Sequence, residues 1–214
     1  MTDPRAQGST SDFPAGSQAI SPPGWGWRLL VAAPWLMLAI SALCWLRFGV
    51  DMPFVDDWRA YADGTAGQWA PRLWFTATNN TIAPLGLALD ALAQRVLGGN
   101  VIAYQFISLL LVLGGLLICQ WRLLRWALGD VRLAALAFAA TAFMLQSGSY
   151  WGEQNMAYHQ ALPLLWLLGA LAFGLTSQAR PVAVLFMALL LGVLAGLSYI
   201  SGAAGTLVLA LALW

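Results

Sequence analysis

The chain has 214 residues, 60% of them hydrophobic and 9% charged, with a net charge of +1. A soluble domain carries about 25% charged residues, so an ordinary soluble fold is excluded, and the near-neutral balance leaves no electrostatic footprint for nucleic acid. The expected class is all-α: a polytopic bundle of transmembrane helices.

Residues 1–24 are rich in Pro, Ser, Gly and Ala. They hold too little apolar surface to fold and read as a disordered tail. Residues 25–214 read as one transmembrane domain of about five to six spans. The first is the uncharged run Leu29–Leu46, bounded by Arg28 and Arg47, about the length a bilayer core demands. The long tail before it argues for a retained helix rather than a cleaved signal peptide, bent or loosened near Pro34.

Phe48 to Asn100 then form a large loop that concentrates the charge. Its opening stretch, Asp51-Met52-Pro53-Phe54-Val55-Asp56-Asp57-Trp58-Arg59-Ala60-Tyr61, places three carboxylates within seven residues. Acids next to a span are costly to bury and cheap to hydrate, so they lie at the water interface or line a cavity. Asp56 also suits the N-cap of a short helix running to about Gly64. Farther on, Ile82, Leu85, Leu89, Leu92 and Val96 recur at helical spacing. This predicts a helix over Ile82–Leu97, with Asn80 or Thr81 as cap and Gly98-Gly99 as its end. Asp90 at its centre favours a helix lying in the interface over a second, poorer span.

The next spans are expected at Val101–Trp121, ended by Arg122 and Arg125; at Leu133–Gln146; from His159-Gln160 to Thr176; and at Val182–Tyr199, broken by Ser201-Gly202. A sixth begins near Ala203 and stops at Trp214, which reads as the front part of a longer protein. Cys44 and Cys119 fall inside apolar runs as small buried hydrophobes. With the N-terminus cytoplasmic, Arg5, Arg28, Arg122, Arg125, Arg132 and Arg180 face the cytoplasm, while Arg47, Arg59, Arg72 and Arg95 lie outside. The positive-inside rule favours that orientation, in a cell inner (plasma) membrane. The acidic loop and the Trp151–Gln160 loop then share the outer face.

Asp56-Asp57-Trp58-Arg59-Ala60-Tyr61, just after the first span, resembles the first external loop of the GT-C membrane glycosyltransferases, such as protein mannosyltransferases and the aminoarabinose transferase of lipid A. That loop opens with an acidic pair, with Asp57 standing here where many members have Glu. The run Asn79-Asn80-Thr81-Ile82-Ala83-Pro84-Leu85 through Gly98-Gly99-Asn100 is similar to a segment of bacterial relatives, although Thr81 and Ile82 stand where those often carry His and Arg. Trp151-Gly152-Glu153-Gln154 resembles a Trp-Gly-any-Gln pattern of the same relatives.

The resemblance implies a GT-C-like bundle with interfacial helices in the first external loop. It implies transfer of a sugar from a polyprenyl-phosphate donor to an acceptor hydroxyl on the outer face, with inversion. Asp56, or second Asp57, would act as the base. Arg59 and Arg72 suit a lipid-linked phosphate, or equally anchoring to headgroups. Gln154 and His159 are candidates for substrate contact, or polar links between helices. Partners are membrane lipid and the lipid-linked sugar, and no cofactor is called for. Some relatives bind a divalent metal, for which Asp51, Asp56 and Asp57 hold oxygen ligands. The competing class is a non-enzymatic membrane protein, either transporter- or flippase-like or a scaffold subunit. Such transporters place ionisable groups near the midplane, whereas these acids flank the spans.

Overall fold

The computed structural model describes residues 25–50, 74–75, 82–142 and 161–213. Among them the regular structure is helical: α1 (Gly26–Phe48), α2 (Pro84–Leu97), α3 (Val101–Leu128), α4 (Val131–Ala140), α5 (Leu162–Thr176), α6 (Pro181–Ser198) and α7 (Ile200–Leu213). α1, α3 and α6 are long and apolar enough to cross a membrane, as expected of a helical membrane bundle. At 1.5 Å per residue they measure about 34, 42 and 27 Å, against a hydrocarbon core of about 30 Å.

α1 follows from its composition: an apolar run with Arg28 at one end and Arg47 at the other, about 28 Å apart along the axis. Aromatic rings gather at both ends. The Arg28 guanidinium lies over the rings of Trp25 and Trp27, 5.2 and 5.7 Å from their centroids, and Arg47 lies over Phe48 at 5.3 Å. Rings and cations of this kind settle at headgroup level. Pro34 lies inside α1 and is buried. The helix continues through it.

α3 begins where Asn100 caps its first turn, the side chain accepting from the Ala103 N–H at 2.8 Å. It ends at Gly129, whose φ of +65° few side chains tolerate. The expected span stopped at Trp121, but the helix runs two turns further and carries Arg122 and Arg125. The bilayer ends at the first charges; the backbone ladder ends only where a residue breaks it. α4 starts at once, because the Asp130 carboxylate accepts from the N–H groups of Arg132 (2.7 Å) and Leu133 (2.9 Å).

α1 and α3 run antiparallel. The Trp45 indole N–H donates to the Ile102 carbonyl at 3.2 Å, and Gly114 faces Trp35 and Leu38 midway along. On its other side the adjacent Gly115 faces Leu165 of α5. Two successive glycines therefore admit two helices against α3, the usual use of small residues where lipid gives no hydrophobic drive to association. The core forms at this crossing: Leu38, Leu109, Val112, Leu113, Leu116, Leu117, Phe138, Ala161 and Leu162. Phe138 is wholly buried, its ring 5.3 Å from that of Trp121.

α5 packs on α3 and α6, and α6 forms a hairpin with α7. The sequence suggested a break at Ser201-Gly202. The chain instead breaks at Tyr199, an extended residue between two helices. Gly202 sits inside α7, where a Cβ would run into the Ala195 backbone. Ser198 Oγ donates to the Leu194 carbonyl (2.7 Å) and accepts from the Trp166 indole N–H (3.1 Å), tying α6 to α5.

Helix α2 corresponds to the expected Ile82–Leu97, with two corrections. It starts at Pro84, with Ala83 at the N-cap position, because a proline in the first turn needs no donor there; the expected caps Asn80 and Thr81 lie outside the described residues. It packs on α6 and the start of α3 through small residues (Ala83, Pro84, Gly86 and Ala91 are buried), while Leu92 and Val96 stay exposed. Gly98 and Gly99, with φ of +61° and +80°, end it as expected.

Candidate functional site

The antiparallel register of α1 and α3 sorts the charges into two ends. Arg28 falls at the end that carries Arg122, Arg125 and Arg132; Arg47 falls beside the first turn of α3. The acidic segment leaves α1 at the Arg47 end, and the chain re-enters α3 there through Asn100.

The described parts of α4 and α5 are shorter than a bilayer core. With 10 and 15 residues they measure about 15 and 22 Å. α4 climbs from Asp130 at the Arg122 end, and Phe138, near its last turn, reaches only Trp121 and the central cluster. The first residues of α5, Ala161 and Leu162, belong to the same cluster, and Leu165, one turn on, meets Gly115. The described part of each helix thus has an end at mid-height of α3; residues 143–160 lie outside the described residues.

The half of α3 above this level carries a polar stripe. Asn100, Tyr104, Gln105 and Ser108 recur at helical spacing, and the last three are buried. Gln105 is 0% exposed, and both its amide oxygen and its amide nitrogen are without a hydrogen-bond partner. Immediately beyond, Leu109–Leu113 form a π turn. Such turns insert an extra residue into a helix and are frequent at functional sites. Polar side chains buried at membrane depth are costly, and by default they mark function. Sequence reasoning passed over Gln105: an amide in an uncharged 21-residue run that also holds Gln120 alters neither length nor charge count.

At the opposite end the electrostatics are settled. Asp130 accepts two backbone N–H bonds, from Leu133 and Arg132, which lowers its pKa below the ordinary carboxylate value. Arg125 lies over the Trp121 ring at 5.6 Å.

The expected site residues Asp56, Asp57, Arg59, Arg72, Gln154 and His159, and the possible metal ligand Asp51, lie outside the described residues. Among the described residues no group of three His, Cys, Asp or Glu side chains comes together to hold a metal. No protein-family model, curated protein or solved structure matches this chain.

Proposed function

We propose that the chain is a membrane glycosyltransferase of the GT-C kind, moving a sugar from a polyprenyl-phosphate donor to an acceptor hydroxyl at the Arg47 face. One observation carries the reading. The acidic segment follows α1 at its Arg47 end, the same end of the bundle that holds the buried stripe Tyr104, Gln105 and Ser108. Carboxylates that follow a span directly in sequence, at the end where the bundle carries polar groups inside, suit chemistry at the interface.

In this proposal Asp56 accepts the proton of the acceptor hydroxyl as its oxygen attacks the anomeric carbon. The bond from that carbon to the phosphate oxygen breaks, the phosphate leaves with the electron pair, and configuration inverts. Asp57 is the alternative base. A carboxylate does this work when it reaches the hydroxyl at about 3 Å. Arg59 and Arg72 hold the phosphate, for which a guanidinium fork is suited, and Gln154 and His159 contact the substrate. Interfacial helices in the acidic loop, α2 among them, shape the rim. In this proposal the Arg28 end, which has the larger share of Arg (Arg28, Arg122, Arg125 and Arg132), faces the cytoplasm of a cell inner membrane, as the positive-inside rule favours.

The test is transfer by the full chain in vesicles, with polyprenyl-phosphate mannose or aminoarabinose as donor. Sugar consumption that requires the protein and produces a glycosylated acceptor supports the proposal. Donor that stays intact, or crosses the bilayer unchanged, sinks it and favours the transporter class.

A further inference from the structure

At the Arg28 end the cations of several helices reach one level. Gly114 meets α1 at Trp35 and Leu38, midway between Arg28 and Arg47. From that contact Arg28 lies about 10 Å outward along α1 and Arg122 about 12 Å along α3, with Arg125 one turn farther. Phe138 of α4 meets Trp121, so Arg132 stands about 9 Å outward of Phe138 along α4. α5 packs along the Gly114–Leu128 part of α3, which brings Arg180, just before α6, to the same end. Half a hydrocarbon core is about 15 Å, so these guanidinium groups gather where lipid phosphates begin.

All five arginines are exposed. Among the described residues the acid at this end is Asp130, whose carboxylate accepts the N–H groups of Arg132 and Leu133. Five cations against one acid make a positive field that draws anions. The neighbouring surface is apolar. Leu29 is 73% exposed and Leu133 57%, each one residue closer to the bilayer centre than Arg28 and Arg132. Exposed Trp25 and Trp126 flank Arg28 and Arg125. Inorganic phosphate gains nothing from such a surface, whereas a phospholipid lays its chains along it.

We propose that this end is a docking surface for an anionic phospholipid of the adjoining leaflet, its phosphate held by arginines of α1, α3 and α4 and its chains lying along the exposed leucines. A guanidinium fork matches two phosphate oxygens. A zwitterionic lipid brings its own cation to the phosphate and gains less from the field, so the surface selects lipids of net negative charge. The inference is independent of the transferase reading.

The experiment titrates the delipidated full chain in neutral detergent with phosphatidylglycerol, with phosphatidylcholine of the same chains, and with chain-free glycerophosphoglycerol. Bound lipid is counted by native mass spectrometry, and thermal unfolding is followed alongside. Phosphatidylglycerol is expected to bind and to raise the unfolding temperature, well ahead of the other two. Arg122→Gln and Arg132→Gln should each weaken its binding about fivefold, the weight of one arginine beside an anionic lipid surface. Arg122→Lys and Arg132→Lys, which keep the charge, should retain most of it, and Arg47→Gln at the opposite end should bind as wild type does. Equal binding of phosphatidylcholine would overturn the proposal. So would an equal response to glycerophosphoglycerol, which would show a phosphate site without a lipid, or a loss in Arg47→Gln as large as in the other variants. Loss in the lysine variants as deep as in the glutamine variants would show that the arginines act by structure rather than charge, and would overturn it as well.

Discussion

At the Arg122 end of α3 several polar and aromatic groups are matched among the described residues. Asp130 caps α4, Arg125 lies over Trp121, and Trp121 packs on the buried Phe138; the Trp27 indole N–H is an exception, buried without a partner. At the Val101 end the same helix buries the Gln105 amide without a hydrogen-bond partner and takes a π turn. One end pairs its polar groups, and the other buries one that is unmet. Natural sequences break local rules at functional sites and compensate elsewhere. The contrast therefore teaches where to look for chemistry, independently of any resemblance.

If the contrast is real, damage to the Arg122 half should appear as instability. The largest such effect is expected at Phe138. Phe138→Ala removes the side chain at the junction of α1, α3, α4 and α5, and should cost about 3 kcal/mol, the low end for a buried Phe. Thermal or denaturant unfolding in detergent measures it; a change under about 1 kcal/mol would show that this core collapses to fill the gap.

Gly202→Ala should come next. Its new Cβ meets the Ala195 backbone rather than a flexible side chain, so α6 and α7 must separate, at about 1–3 kcal/mol for overpacking. Unchanged unfolding would mean that the hairpin is looser than the contact between these helices implies.

The smallest effect is at Asp130, which is fully exposed. Its folded pKa lies below its unfolded value, so its contribution is present above the unfolded pKa of about 3.9 and is lost as pH falls through the folded pKa. Asp130→Ala should lower the unfolding temperature slightly at neutral pH, with the gap to wild type closing in acid. Asp130→Asn should hold the neutral-pH value, since Asn caps about as well. Unfolding followed from pH 7 to 3 decides this, and a gap that widens in acid would contradict the sign.

Much of the fold was legible in the sequence because charge spacing and apolar runs are strong signals in a membrane chain. Leu29–Leu46 became Gly26–Phe48, and Ile82–Leu97 became Pro84–Leu97. What failed was the attribution of breaks. Arg122 marks where lipid ends, whereas α3 stops at Gly129. Ser201-Gly202 looks like a breaker, yet Gly202 is there for close packing and the extended residue is Tyr199. Of the candidate site, the sequence pointed to the charged loops and missed the interior stripe. Charges announce themselves one at a time, whereas the significance of Gln105 depends on which face of α3 it occupies and on the absence of a partner, both properties of packing.

The central claim is that the Arg47 half does chemistry and the Arg122 half supports it. The most direct test makes the same substitution on both sides. Asp56→Asn and Asp130→Asn each turn a carboxylate into a near-isosteric amide, with Asp57→Asn as control for the neighbouring acid. Turnover of a polyprenyl-phosphate sugar donor is measured in the same vesicles. Asp130→Asn is expected to transfer at close to the normal rate. Asp56→Asn should insert and fold normally and lose about 10²–10⁴-fold in rate, the usual cost of removing a general base. Normal turnover in Asp56→Asn, in Asp57→Asn and in the double variant would contradict the account.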